Sequence, residues 1–158
     1  MSRPLVRILV DGYSLLHAWP DLARGKARHS AAARVELIQQ LRLYGDSIAT
    51  PVTVVFDGAG PAPSVAVEAP STRTMEIIYS QTGQTADNII ERVTAKLVQY
   101  GEVLVVSNDI AERDTVLAVG GNVCSCDSFI SMIKGSLTEF ERELQRYNRT
   151  ELKRYRKG

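Results

Sequence analysis

The sequence contains only two cysteines, Cys124 and Cys126, with one serine between them. A disulfide across one residue is strained, and two thiols are too few for a structural zinc site. The spacing predicts two small residues on one face of a strand. No apolar run approaches the roughly 18 residues needed to span a bilayer. The N-terminal MSRPLVRILV lacks the long apolar core and cleavage site of a signal peptide. These absences predict a cytoplasmic protein with no membrane partner. The P-loop lysine sequence, G-x-G-x-x-G and the G-x-S-x-G elbow are all missing, which argues against NTPase, dinucleotide-binding and Ser-His-Asp hydrolase chemistry. There are two histidines. His29 lies in a basic segment with Arg24, Lys26 and Arg28 and reads as a phosphate contact or a solvated group. His17, near Asp11, reads as packing.

What is present is an ordinary globular composition, 158 residues with 44% hydrophobic and 23% charged. That length fits one domain able to bury a core without staples. Apolar runs at Leu5–Val10, Val52–Phe56, Thr74–Tyr79 and Val103–Val106 read as strands, and "GGNVCSC" as a turn and a fifth. Helical spacing predicts a helix from the Ser30 cap through Tyr44, stopped by Gly45. Another runs from the Thr85 cap to near Tyr100, and a short one spans Ile110–Val119. Two more are expected near Ser128–Ile133 and Thr138–Tyr155. "DGAGPAPSVAVEAPS" reads as a long mobile loop. Strands too apolar for a wet face, alternating with helices, predict an α/β fold. It is a three-layer α/β/α sandwich with a mostly parallel sheet of about five strands. The expected domain spans residues 1–136, with a basic C-terminal helix and tail, 137–158, as part of it.

Three apolar runs end in acid: "LVRILVD" at Asp11, "VTVVFD" at Asp57 and "VLVVSND" at Asp109. Parallel strands share one C-terminal edge, where ligands bind. Asp87, in the first turn of its helix, points to the same crevice, and Glu91 lies four residues on along the same face. Clustered carboxylates repel unless a cation compensates, and all-oxygen ligands suit Mg²⁺ or Mn²⁺. Such a site serves phosphodiester hydrolysis. Asp57 is the weakest member, since "DG" also shapes a turn. Glu112 and Asp114 read as solvated on a polar helix face, and Asp21 and Asp46 as loop residues. From Glu141 to Gly158, seven Lys/Arg against three Glu leave +4, so the remaining chain carries −3 of the net +1. An acidic body with a basic tail fits a polyanion partner or a merely solvated helix face.

"LVDGYSLLHAWP", "VVFDGAG", "TADNIIERV", "VVSND" and the following "GG" turn together resemble the YacP-like group of NYN domains, in the PIN-like nuclease superfamily. The resemblance runs from about Ile8 to Phe129. It implies a metal-dependent endoribonuclease acting on single-stranded RNA, mRNA within that class, and leaving 5′-phosphate and 3′-hydroxyl ends. It makes Asp11, Asp87 and Asp109 the core catalytic and metal-binding acids, with Glu91 beside them. Thr85 and Asn108 become contacts around the metal or substrate, and Glu36 the nearest candidate for a further acid on the first long helix. Ser14 departs from the family's "DGYN", where asparagine follows the tyrosine. RNA would be held by Tyr13, Ser14, Arg24 and Arg28, with the C-terminal arginines on phosphates. Tyr13 and Trp19 are candidates for base stacking, and Trp19 equally for packing. The near-neutral charge predicts modest affinity for generic RNA and leaves room for a partner, such as the ribosome, that presents the substrate.

Other readings stay open. One is an NYN module that binds RNA or a ribonucleoprotein with weak or lost catalysis. A haloacid-dehalogenase-type phosphohydrolase would want Asp where Tyr13 stands. A receiver domain would want a lysine near Cys126.

Overall fold

The computed structural model describes residues 3–25, 27, 30–58 and 71–157, excluding the side chains of residues 140 and 155–157. Lys26, Arg28, His29 and residues 59–70 of the expected long loop lie outside the described residues.

Five short strands, β1 (Leu5–Asp11), β2 (Val52–Phe56), β3 (Met75–Tyr79), β4 (Glu102–Val106) and β5 (Asn122–Cys124), form one sheet in the order β3-β2-β1-β4-β5. Every pairing is parallel. Between and after them run α1 (Gly12–Ala18), α2 (Ala31–Ser47), α3 (Ala86–Leu97), α4 (Ile110–Ala118) and α5 (Cys126–Lys157).

The period-2 alternation of a strand sorts the core into two layers. Ile8 and Val10 pack with Leu15 and Leu16 of α1, Leu37, Ile38 and Leu41 of α2, and Phe129 and Ile133 of α5. Leu9 faces the other way and packs with Ile89 and Ile90 of α3 and Val116 of α4. Two apolar faces on one sheet explain why β2 is buried along its whole length. Among the described residues no helix is long and apolar enough to cross a membrane.

Several sequence expectations change. Residues 12–18, given no element, form α1, because Asp11 caps its N-terminus. Gly45 does not stop α2. A Cβ there would meet the Val52 side chain at 2.9 Å and the Thr50 carbonyl at 3.0 Å, so the glycine lets α2 lie close to β2. The chain turns instead at Ala49, with φ +54°. The two expected C-terminal helices are one, α5, and position 136 falls inside it. Gly135 is exposed and costs the helix only about 1 kcal/mol, which the strong helix formers around it offset. Cys126 starts α5, so the two cysteines do not share a strand face. Both are free thiols, and burial pushes Cys126 up to about 11.

Gly12 is fixed by the core. A Cβ there would lie 2.4 Å from the Phe56 ring. That ring is fully buried, between Tyr13 at 5.2 Å and Tyr79 at 5.4 Å. Gly12→Ala should therefore cost about 1–3 kcal/mol through overpacking. A thermal melt reads this as a fall of roughly 2–4 °C per kcal/mol. An unchanged melting temperature would show that the Phe56 ring yields freely.

Candidate acidic site

The strand order creates the site. The chain moves outward from β1 to β2 and β3, then crosses back to β4 on the other side of β1. The C-terminal ends of β1 and β4 therefore diverge at a switch point, where a crevice opens.

Asp11 ends β1, and its Oδ1 accepts from the backbone N–H of Ser14 at 3.4 Å. Beyond β4, Asp109 caps α4, and its Oδ1 accepts from the N–H groups of Ala111 at 2.9 Å and Glu112 at 3.3 Å. Ser107 sits beneath. Its hydroxyl donates to Glu112 Oε2 at 3.1 Å and accepts from the Asp109 N–H at 3.0 Å. Asp87 enters from the first turn of α3, whose cap, Thr85, accepts from the Asn88 N–H at 3.1 Å.

Carboxylate oxygens of Asp11, Asp87 and Glu112 lie within 4.8 Å of one another. Glu112 is 3% exposed, and its Oε1 is buried with no hydrogen-bond partner. Burial, then the neighbouring Asp87 and Asp11, push the Glu112 carboxyl up to about 10. Burial also raises Asp11; Glu112 and the Ser14 N–H oppose that rise, while the charges of Asp87 and Asp109 add to it. Among the described residues none of the ion pairs involves these three acids. Three hard oxygen donors, one buried without a hydrogen-bond donor, are what a divalent cation such as Mg²⁺ or Mn²⁺ fits.

Glu112 was expected to be solvated; the structure buries it. The readable signal was its spacing. Glu112 and Val116 stand four residues apart, on the buried stripe of α4. Asp114 does remain exposed.

The other expected residues fall into three groups. Asp109 and Glu91 flank the cluster. Asp109 is exposed and close enough to raise Asp11, and Glu91 lines a groove of about 210 Å³ with Asp87 and Glu112. Ser14, Asn108 and Cys126 form a tie. Ser14 Oγ accepts from the Asn108 N–H at 3.1 Å and lies 3.5 Å from Cys126 Sγ, while Asn108 Oδ1 accepts from the Cys126 N–H at 2.8 Å. The remainder sit apart. Tyr13 is half-buried, and its hydroxyl accepts from Arg34 at 3.4 Å. Asp57 accepts from the Ser80 hydroxyl at 3.0 Å. Arg24 and Glu36 line a separate groove of about 530 Å³ with Asp21 and Lys134. Trp19 is 6% exposed and packs in the core.

Comparison with known proteins agrees with this architecture. The protein YacP of Bacillus subtilis (strain 168) is 29% identical over 151 residues, 95% of this chain and 81% of its own length. Two crystal structures of Rae1 (YacP) from Bacillus subtilis, a point mutant and the unsubstituted protein, share 24% identity with it. Their TM-scores are 0.75 and 0.74, covering 91% and 90% of this chain and 84% and 82% of theirs. At that identity the likeness shows the fold. Residues 8–157 match the YacP-like NYN domain, so the chain belongs to that family, a relative of the PIN-like nucleases.

Proposed function

We propose that the protein is a metal-dependent endoribonuclease that hydrolyses phosphodiester bonds of single-stranded RNA at the Asp11–Asp87–Glu112 cluster. The observation that carries this reading is the buried Glu112 carboxyl, facing two more carboxylates with one oxygen lacking a donor. A polyanion binder has no use for negative charge gathered at the point of contact. A phosphodiesterase does.

In this reading Asp11, Asp87 and Glu112 hold Mg²⁺ or Mn²⁺, with Asp109 and Glu91 beside them. The ion, when bound, supplies an activated water and neutralises charge on the phosphate. Ser107 fixes one Glu112 oxygen, so the other stays turned toward Asp11 and Asp87. Asp109 caps the first turn of α4, which carries Glu112. The Ser14–Asn108–Cys126 tie keeps the β1 and β4 ends together. Arg24, exposed on a groove outside the cluster, serves in this reading as a contact for RNA phosphates.

The test is cleavage of an end-labelled single-stranded RNA in Mn²⁺ or Mg²⁺, with Asp11→Asn, Asp87→Asn and an EDTA control. Cutting should vanish in EDTA and fall at least tenfold in both variants. Equal cutting by all three proteins would place the activity elsewhere. Ser14 uses its hydroxyl on the Asn108 amide, which favours a second reading, an RNA-binding module with weakened catalysis. Calorimetric Mn²⁺ titration separates them: a nuclease binds the ion at this site, whereas a pure binding module does not.

A further inference from the structure

The C-terminal half of α5 leaves the body of the domain. The helix begins beside the acidic site, at the Asn108–Cys126 contact. It then packs back across α2, where Ser136 Oγ lies 3.2 Å from Ser47 Oγ. Ser47 ends α2 just before β2 starts, so it marks the opposite edge of the sheet. Leu137 still touches the core, and from Thr138 to Arg154 every described side chain is exposed. At a rise of about 1.5 Å per residue, Arg142 stands about 24 Å along α5 from Cys126, and Lys153 about 40 Å. The sequence reading set the C-terminal arginines on the phosphates of the substrate strand. The structure carries them past the far edge, away from the carboxylates.

Their spacing is regular. Arg142, Arg146, Arg149 and Lys153 follow one another at intervals of four, three and four residues. At about 100° per residue they fall within an arc of about 60° on one helix face. A shallow concavity of about 460 Å³ opens on that face, lined by Lys134, Gly135, Thr138, Glu139, Arg142 and Arg146. Glu139 is the one acid near the arc among the described residues. Leu144 and Tyr147 lie on the opposite side of the helix.

We propose that this basic face of α5 is a docking rail for double-helical RNA, separate from the strand that is cut. The inference rests on RNA being the substrate class of the acidic site. Three features favour a duplex. Arginine outnumbers lysine on the arc, and its planar fork matches phosphate oxygens bidentately. No described aromatic side chain lies on the arc, so bases have nothing to stack on, as single-strand binding requires. What the rail reads is a rigid line of backbone phosphates. A helix lying on a membrane needs a continuous apolar face opposite its cations. Here that face is interrupted, because the exposed Glu151 stands in line with Leu144 and Tyr147.

The experiment compares wild type, Asp11→Asn and a fourfold variant, Arg142→Glu, Arg146→Glu, Arg149→Glu and Lys153→Glu. A milder fourfold glutamine variant guards against loss of the helix, which circular dichroism checks. Binding to a fluorescent 20-base-pair RNA duplex is measured in EDTA over a salt series, so that cleavage plays no part. Both fourfold variants should lose at least tenfold in affinity and flatten the salt slope by about one for each phosphate contact removed. Asp11→Asn should bind as wild type does. Cleavage of a ten-nucleotide single strand, too short to occupy both places, should be the same in the fourfold variants as in wild type. Duplex binding that survives charge reversal would overturn the proposal. So would binding to anionic phosphatidylglycerol vesicles, in place of duplex, that is lost on reversal. If wild type binds duplex but never cuts, the rail stands and the nuclease reading fails. If it cuts but never binds duplex, the rail fails alone.

Discussion

Glu112→Gln is expected to lower metal-dependent RNA cleavage about 10²- to 10³-fold while raising the melting temperature of the metal-free protein. The two effects have one cause. Glu112 is 3% exposed, and its carboxyl is pushed up to about 10, first by burial and then by the neighbouring carboxylates. A glutamine has the same size and carries no charge. It spares the folded protein the proton that Glu112 must otherwise take up beside Asp11 and Asp87 on folding at neutral pH. Stabilisation of about 1 kcal/mol would raise the melting temperature roughly 2–4 °C in a domain this size. The proposed divalent ion, however, would lose one of three carboxylate ligands, and preorganised electrostatic contacts in a buried site are worth about 10²- to 10³-fold in rate. Thermal melts in EDTA and single-turnover cleavage in Mn²⁺ read the two halves separately. Opposite signs in the two assays mark a ligand. A variant that melts lower and also cuts poorly would make Glu112 a structural residue of α4.

The metal-free protein should be more stable at pH 5 than at pH 9, and Mn²⁺ should reverse the trend. Asp11 and Glu112 both titrate higher in the folded state than their ordinary values of 3.8 and 4.5. As pH rises above those values, the unfolded chain releases protons that the folded chain retains. Stability therefore falls with pH from about 4.5 until Glu112 itself ionises near 10. A melting temperature at least ~5 °C lower at pH 9 than at pH 5 is expected, at roughly 2–4 °C per kcal/mol. Mn²⁺ requires the deprotonated carboxylates, so its stabilisation grows as pH rises. At a hundredfold excess over its dissociation constant it adds about 2.7 kcal/mol. Differential scanning fluorimetry across this range, with and without Mn²⁺, measures both slopes. In Glu112→Gln the metal-free slope should flatten. A metal-free melting temperature that rises from pH 5 to pH 9 would contradict the burial of these acids.

The sheet was legible because its strands are buried on both faces. Runs such as Val52–Phe56 admit no other use, and the acids at their ends marked one edge. Asp11 and Asp87 followed from that geometry. Glu112 did not, because a glutamate in a helix is solvated in most contexts. Only its register with Val116 set it apart, and that register was outweighed by the acids around it in the sequence. Ser14 and Asn108 were read as groups facing substrate. Their partners, each other and Cys126, lie up to 112 residues away, and no local pattern carries a contact of that range. The unity of α5 was hidden by Gly135, which looks like a break until its solvent exposure is known.

The tie between Ser14, Asn108 and Cys126 also sets an order of events in time. Asp11 and Glu112 are far apart in the chain, and the folded structure joins them through the pairing of β4 beside β1 and the closure of Cys126 onto Asn108. Pairings of such long sequence separation are the slow part of folding. A chain that stops before β4 thus has Asp11 and Asp87 but no Glu112 to join them. A truncated chain of that kind keeps two of the three carboxylates, without the buried one between them.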